Sequence, residues 1–333
     1  MEERRVRATP GGADDARARR LLYQTLRVPE VGILLALVVA VAVFALVNPS
    51  FVAWANIESN VRTIAFIGIV GVGQAMLIIA GEFDLSVGSV AALGAVVAAI
   101  LMSDHGLPIP LAVIAAVALG LLIGLVNGLL TVKVGLPALI VTLGMLFAAR
   151  GLAYVISGGT QVYPLPDGVR TLSDRVLGLP MAIWVFVVLA LVADVAMRRS
   201  GFGRRLYAVG GNREAAQLAG IRADRVKLAA FMLTGALAAL AGVLVMAQLG
   251  SGDPQIGMNW ELAVIAAVVV GGISLRGGVG SIAGALLGVL FLQVVSSGLV
   301  VSGVEATLQP VAVGTVMIAA LGIDQVRHRR FGG

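Results

Sequence analysis

The sequence has no cysteine, and its 333 residues include only two histidines, His105 and His328. Without cysteine the chain can form no disulfide bond, no thiolate metal site and no cysteine nucleophile. Both histidines lie outside the long apolar runs, so no histidine inside those runs can activate a serine, and no His-Glu-x-x-His pattern occurs. We therefore predict no catalytic residue and no metal site, and the sequence does not support a membrane enzyme.

Charge is also scarce. Only 13% of the residues are charged, whereas 59% are hydrophobic and the mean hydropathy is +1.00. A soluble domain of this length does not have such a composition, and repeated apolar runs of about 20 residues are typical of membrane-spanning helices. The 43 glycines suit close helix packing in lipid. We predict an all-α, polytopic integral membrane protein.

The apolar runs predict about ten transmembrane helices within residues 30–325, between an N-terminal tail at 1–29 and a C-terminal tail at 326–333. The predicted spans lie near residues 31–47, 61–80, 85–102, 110–131, 137–157, 179–197, 226–249, 259–274, 279–299 and 305–323.

Lysine and arginine divide unevenly between the two sides of this arrangement. With the N-terminus inside, the inner segments carry twenty Lys or Arg, whereas the outer segments carry only Arg62, Arg170 and Arg175. Cytoplasmic loops are enriched in these residues, so both termini and the central segment 198–225 are predicted to be cytoplasmic. The net charge of +6 is then explained by topology, and no nucleic-acid partner is predicted.

The central polar segment contains one predicted short helix. Asn212 is a good N-cap, Glu214 suits the positive first turn, and Gly220 ends the helix. A helix of about seven residues is not stable alone in water, because so few hydrogen bonds do not offset the cost of nucleation. The helix must therefore be held by docking, which indicates that it inserts into a cytoplasmic partner.

Two glycine-rich turns interrupt the apolar pattern, one at residues 81–89 and one at 271–280. In the first, Asp84 precedes a predicted helix, which favours helix capping and a hinge, although an ion or proton site stays open. The second turn shares the Gly-x-x-x-Leu pattern of the first, which would arise from an internal duplication or by chance. It lacks the Gly-Lys-Ser/Thr ending of a phosphate-binding loop. The candidate hinge or gate residues are Gly81, Glu82, Asp84, Ser86, Gly88, Gly271, Gly272, Gly277 and Gly278.

Few ionisable residues lie inside the predicted spans. Arg150 and Asp194 are the clearest, and Asp194 is placed for an i,i+4 pair with Arg198. This scarcity counts against an ion-coupled carrier, which needs chains of intramembrane acids or histidines. Neutral polar side chains in or beside the spans suit a hydroxyl-rich solute, although most such residues only bond neighbouring helices. The candidate pathway residues are Gln74, Asn127, Thr142, Gln248 and Asn259.

The longest predicted outer loop covers residues 158–178 and contains several Gly and Pro residues. Loops of this length are often functional. It could close the outer mouth of a pathway, contact an extracytoplasmic partner or be a solvated connector.

Several motifs occur along the chain in a fixed order. They are Gly81-Glu82-Phe83-Asp84-Leu85-Ser86-Val87-Gly88, Asn127-Gly128-Leu129-Leu130, residues 136–144, Arg150-Gly151-Leu152-Ala153, residues 210–216 with Gly220-Ile221, and Gly271-Gly272-Ile273-Ser274 with residues 277–280. In these motifs, from about residue 30 to 325, the chain resembles the membrane permease subunit of ribose/xylose/galactose-type ABC sugar importers. The first motif usually reads Gly-Gly-Ile-Asp-Leu-Ser-Val-Gly in that family, and here Glu82 and Phe83 replace its second and third residues.

The resemblance implies a multi-pass protein of a bacterial inner (plasma) membrane. It implies two permease subunits, identical or different, that form a pathway, two ATP-binding subunits, and a soluble binding protein that delivers a monosaccharide. No cofactor would be bound by this chain, since ATP-Mg belongs to the partner. The short helix would be the coupling helix, with contacts from Asn212, Arg213, Glu214, Ala215, Ala216, Leu218 and Gly220. A nucleoside or branched-chain amino acid is the alternative solute, and an ion-coupled secondary carrier is the alternative class.

Overall fold

A computed structural model of the chain describes residues 29–305, together with residues 308, 311, 314, 315 and 318. The described part is built almost entirely from α-helices. They are α1 Pro29–Val47, α2 Trp54–Ile79, α3 Val87–Ser103, α4 Ile109–Val132, α5 Ala138–Ser157, α6 Met181–Arg199, α7 Gly201–Gly211, α8 Arg213–Leu218, α9 Ala223–Leu249, α10 Trp260–Val270 and α11 Ile282–Val301.

Seven of these described helices are long and apolar enough to cross a membrane: α1, α2, α4, α5, α6, α9 and α11. Two more, α3 and α10, are apolar but shorter. The polytopic all-α prediction is therefore confirmed. The predicted tenth span at 305–323 lies mostly outside the described residues, and both predicted tails lie outside them except for Pro29. The count of ten stays a prediction.

Helix α9 is the centre of the bundle, and small residues let its neighbours approach its backbone. A Cβ built on Gly235 of α9 would overlap the carbonyl oxygen of Gly120 on α4, and one on Gly242 would overlap that of Ala91 on α3. Helices in lipid gain little from the hydrophobic effect, so backbone approach and van der Waals packing hold them together. Glycines of this glycine-rich sequence thus allow the close contacts between α9 and its neighbours.

Non-helical chain precedes each of the two shorter apolar helices, α3 and α10. Before α3, residues 81–86 fold back beside α2, and the Gln74 amide can bond both the N–H and the carbonyl of Asp84, over 3.0 and 3.3 Å. Before α10, residues 250–259 form turns rather than helix. The start of α3 touches the segment before α10, since a Cβ on Gly88 would overlap the carbonyl oxygen of Gly257.

The predicted outer loop is ordered by a small antiparallel ribbon, β1 Arg175–Val176 and β2 Leu179–Pro180. Arg175 bonds both carboxylate oxygens of Glu58 on α2 at 2.7 Å, and Trp184 on α6 donates to the carbonyl of Val176 over 2.8 Å. These contacts tie the loop to α2 and α6. We call this end of the molecule the ribbon side and the opposite end the α8 side.

Candidate functional site

The central polar segment folds into two short helices rather than one. Ser200 begins α7 by accepting a hydrogen bond from the N–H of Gly203 at 3.1 Å. The sequence prediction missed α7 because four glycines between 201 and 211 disguise it. Its signals were the N-cap Ser200 and the buried Leu206 and Val209, which lie three residues apart on one helical face.

Helix α8 is the predicted short helix, and its local structure is confirmed. The Asn212 side chain accepts a hydrogen bond from the N–H of Ala215 at 2.9 Å, and Gly220 follows the helix end with a φ of +80°. Glu214 lies in the first turn as predicted. Whether α8 can bind a partner depends on which of its side chains face outward.

Helix α8 is held by contacts on one side and is open on the other. Ala216 is buried against the bundle, and the Arg213 guanidinium lies 3.1 Å from the Asp224 carboxylate at the start of α9. Lys133, after the end of α4, reaches the same carboxylate at 3.3 Å. Leu218 is 91% exposed. The helix therefore presents an apolar side chain outward while its base is joined to α4 and α9.

The two glycine-rich turns and the end of α7 meet at one point on the α8 side. The N–H of Gly278 donates to the carbonyl of Ile79 at 2.9 Å, and a Cβ on Gly210 would overlap that same carbonyl oxygen. Gly81 and Gly277, with φ values of +82° and +84°, complete the contact. Only glycine combines this left-handed backbone with such close approach. Two motifs about 190 residues apart in the sequence thus form one junction with α7.

Tyr207 ties α7 to the second turn. Its hydroxyl donates to the carbonyl oxygen of Gly280 at 2.8 Å. Burial raises the pKa of the Tyr207 hydroxyl, so it stays a hydrogen-bond donor at neutral pH. This hydrogen bond links α7 directly to the turn before α11.

Asp84 is enclosed by a polar cluster next to this junction. Its carboxylate accepts hydrogen bonds from the N–H and hydroxyl of Ser86 at 2.7 and 2.6 Å, and from the Asn127 amide at 3.2 Å. Asp84 is 1% exposed, and Gln74 beside it is fully buried. Two predicted pathway residues, Gln74 and Asn127, thus lie in the cluster that fixes the start of α3.

Glu82, which departs from the motif of the resembled family, has a partner. Its carboxylate lies 2.6 Å from the ammonium of Lys227 on α9, and both side chains are largely buried. Nothing in the local sequence predicts this pair, because the two residues are 145 positions apart. The ion pair connects the first glycine-rich turn to the central helix.

The other predicted residues lie elsewhere. Thr142 is buried and donates within its own helix to the carbonyl of Ala138 at 2.8 Å. Gln248 is exposed in the last turn of α9, and Asn259 is exposed with a φ of +63° immediately before α10. Gly271 and Gly272 end α10, where a Cβ on Gly271 would overlap the backbone of Gly284 on α11.

The two predicted intramembrane ions are both engaged. Asp194 pairs with Arg198 at 2.8 Å, which confirms the i,i+4 prediction. Arg150 on α5 donates to the carbonyls of Pro254 and Ile256 at 2.6 and 2.8 Å. The second arrangement was not predicted, because Arg150 and Pro254 are 104 positions apart in the sequence.

Comparison with known proteins agrees with this geometry. The family described as "Branched-chain amino acid transport system / permease component" matches residues 56–321. The chain is similar to the L-arabinose ABC transporter permease protein AraH of Azospirillum brasilense, with 34% identity over 333 residues, which cover 99% of this chain and 97% of that protein. The Ribose import permease protein RbsC of Escherichia coli is 36% identical over 304 residues, covering 89% and 93%. The Xylose transport system permease protein XylH of that organism is 31% identical, covering 90% and 93%.

Proposed function

This chain belongs to the family described as the permease component of branched-chain amino acid transport systems, and we propose that it forms the translocation pathway of an ABC importer for a monosaccharide. The resemblance inferred from its motifs is confirmed, because relatives aligned over nearly their whole length are ABC or import permeases. The chain is a transport subunit and a multi-pass protein of the bacterial inner membrane. A pentose is the favoured solute, since these relatives are named for arabinose, ribose and xylose.

The observation that carries the coupling part of the proposal is the construction of α8. A short capped helix with an outward Leu218, braced by Arg213 on Asp224, suits docking into a groove on an ATP-binding subunit. Helix α7, which immediately precedes α8, contacts the junction of the two glycine-rich turns. Movement of a docked partner would thus reach α2, α3 and α11 through short, rigid contacts.

The rest of the assembly follows from the same mechanism. Two permease subunits enclose the pathway, two ATP-binding subunits with ATP-Mg lie on the α8 side, and a soluble binding protein delivers sugar to the ribbon side. The distribution of Lys and Arg supports a cytoplasmic α8 side, ten spans and cytoplasmic termini. The fixed ribbon supports a stable docking surface on the other side.

Uptake by the complete importer tests this proposal. The permease, its cognate ATP-binding subunit and its binding protein are reconstituted in vesicles, with uptake of labelled L-arabinose, D-ribose and D-xylose measured separately. We expect uptake of at least one pentose with ATP and none with a non-hydrolysable analogue. Uptake only of a nucleoside or a branched-chain amino acid would replace the solute. Uptake that ignores ATP but collapses with the ion gradient would contradict the importer itself.

A further inference from the structure

The span that ends in α10 is interrupted near the middle of the membrane. Helix α10 has 11 residues and is about 16 Å long, whereas the hydrocarbon core is about 30 Å thick. Its last residue, Val270, leads into the turn on the α8 side. Its first residue, Trp260, therefore lies near mid-membrane, and residues 250–259 complete the span as non-helical chain.

Arg150 holds this non-helical segment in place. Its Nη1 donates to the carbonyls of Pro254 and Ile256, satisfying backbone groups that a helix would have paired. Nearer the ribbon side, Asp253 accepts a hydrogen bond from the Gln161 amide at 2.8 Å. Within the described residues, the remaining guanidinium nitrogens of Arg150 have no hydrogen-bond partner.

Glu261 in the first turn of α10 supplies a carboxylate beside this cation. It interacts electrostatically with Arg150, and its Oε2 would lie 2.9 Å from a Cβ built on Gly88. The carboxylate therefore faces the positive N-terminal end of α3. Within the described residues Glu261 accepts no hydrogen bond, and it is only partly buried.

Polar groups at this depth cannot face lipid. Gln255 and Asn259 are exposed in the single chain. Gln255 lies between the two residues whose carbonyls Arg150 bonds, and Asn259 is two positions before Glu261. Non-helical backbone and exposed amides in the hydrocarbon region are tolerated only where protein covers them or where they line a water-filled cavity. Interrupted helices of membrane transporters commonly mark the substrate path for this reason.

We propose that Arg150, Gln255, Asn259 and Glu261 form a hydroxyl-binding station for the sugar inside the translocation pathway. The inference rests on the proposed function. A sugar hydroxyl both donates and accepts, so it can accept from the free guanidinium nitrogens while it donates to the Glu261 carboxylate. The side-chain amides of Gln255 and Asn259 offer further neutral donors and acceptors. The predicted pathway residue Asn259 belongs to this station, whereas Gln74, Asn127 and Thr142 do not.

Uptake by Glu261→Gln in the reconstituted importer tests the station. The substitution keeps the shape and removes the charge, so we expect pentose uptake to fall about tenfold or more and the preference among L-arabinose, D-ribose and D-xylose to change. ATP hydrolysis stimulated by the loaded binding protein stays within about twofold. The matched control is Asp194→Asn on α6, a partly exposed carboxylate outside the station, which leaves both unchanged. Equal loss of uptake and ATP hydrolysis, or unchanged uptake and preference, would overturn the proposal.

Thiol accessibility tests the station without measuring transport. The chain has no native cysteine, so Gln255→Cys introduces a single reactive group. In the assembled importer we expect it to react with a charged, membrane-impermeant methanethiosulfonate, whereas Val188→Cys, exposed on the apolar helix α6, does not. Equal inertness of the two variants would reject the pathway position even if wild-type uptake is normal. A wild-type importer that carries none of the sugars, with Gln255→Cys reactive, would instead reject only the proposed solute.

Discussion

Gly278 donates its backbone N–H to the carbonyl oxygen of Ile79 at 2.9 Å, and this bond joins the second glycine-rich turn to the end of α2, just before the first turn. Gly210, at the end of α7, packs on the same carbonyl with no room for a side chain. Helix α7, which leads directly into α8, is thus in direct backbone contact with both turns. Transmission of movement through this junction is the mechanical core of the account.

The junction predicts a severe effect of Gly210→Ala. The new methyl group would overlap the Ile79 carbonyl and lie 2.7 Å from the N–H nitrogen of Gly278, both rigid backbone atoms. We expect destabilisation of about 1–3 kcal/mol and loss of ATP-driven uptake. Thermal unfolding in detergent and vesicle uptake measure the two effects.

Gly201→Ala on the same helix is the matched control, since the nearest atom to its Cβ is a flexible Arg204 nitrogen at 3.9 Å. It should be neutral or slightly stabilising, because alanine is the better helix former. If the two variants behave alike, close approach at Gly210 is not what limits the junction.

The buried pair of Glu82 and Lys227 predicts asymmetric mutational effects. Glu82→Gln alone leaves the ammonium of Lys227 buried without a counter-charge, and we expect a loss of about 3–5 kcal/mol in unfolding free energy. The double variant Glu82→Gln with Lys227→Met should recover most of that loss. Denaturation of purified protein distinguishes the cases, and a double variant less stable than either single one would show that the pair itself stabilises the fold.

Asp224 predicts a functional effect with little change in stability. Its carboxylate is partly exposed and joins Arg213 on α8 to Lys133 after α4, and exposed pairs contribute about 0–1 kcal/mol each. In Asp224→Asn we expect an unfolding temperature close to wild type but less uptake per ATP hydrolysed. Asp194→Asn, which breaks one comparable pair away from α8, should leave this ratio unchanged. If uptake per ATP hydrolysed falls equally in both variants, Asp224 has no specific role in coupling.

Leu218 predicts a binding effect. It is almost fully exposed, and a leucine side chain buried on docking contributes about 1.5–3 kcal/mol. Leu218→Ala should therefore weaken association with the ATP-binding subunit about tenfold or more, with no change in folding. A binding titration in detergent measures the affinity for the ATP-binding subunit, and Leu177→Ala at the exposed tip of the ribbon is the control. Undiminished affinity would place the contact elsewhere.

Local chemistry made part of this structure predictable. The cap at Asn212, the pair of Asp194 with Arg198 and the apolar runs each depend on residues within a few positions of one another, so periodicity and capping rules reveal them. Helix α7 was missed for a local reason as well, since its glycines lower helix propensity while tertiary packing stabilises it.

The remaining features depend on contacts between distant residues. The residues around Glu82 do not indicate its ion pair with Lys227. Those around Arg150 do not indicate its hydrogen bonds to the carbonyls of Pro254 and Ile256. The predicted span at 259–274 begins close to the start of α10 but runs four residues past its end at Val270, because the apolar run continues into the next turn. Glycine frequency predicted close packing but not which glycines meet, since that pairing is set by the whole bundle.

Cross-linking at α8 tests the central claim most directly. Ala216 is buried, so the position to use is Leu218→Cys, the single thiol of the chain. We expect labelling from the cytoplasmic side only, and a cross-link to a groove cysteine on the ATP-binding subunit whose yield changes with ATP. Labelling only from outside, or cytoplasmic labelling with no cross-link to that subunit, would contradict the coupling mechanism.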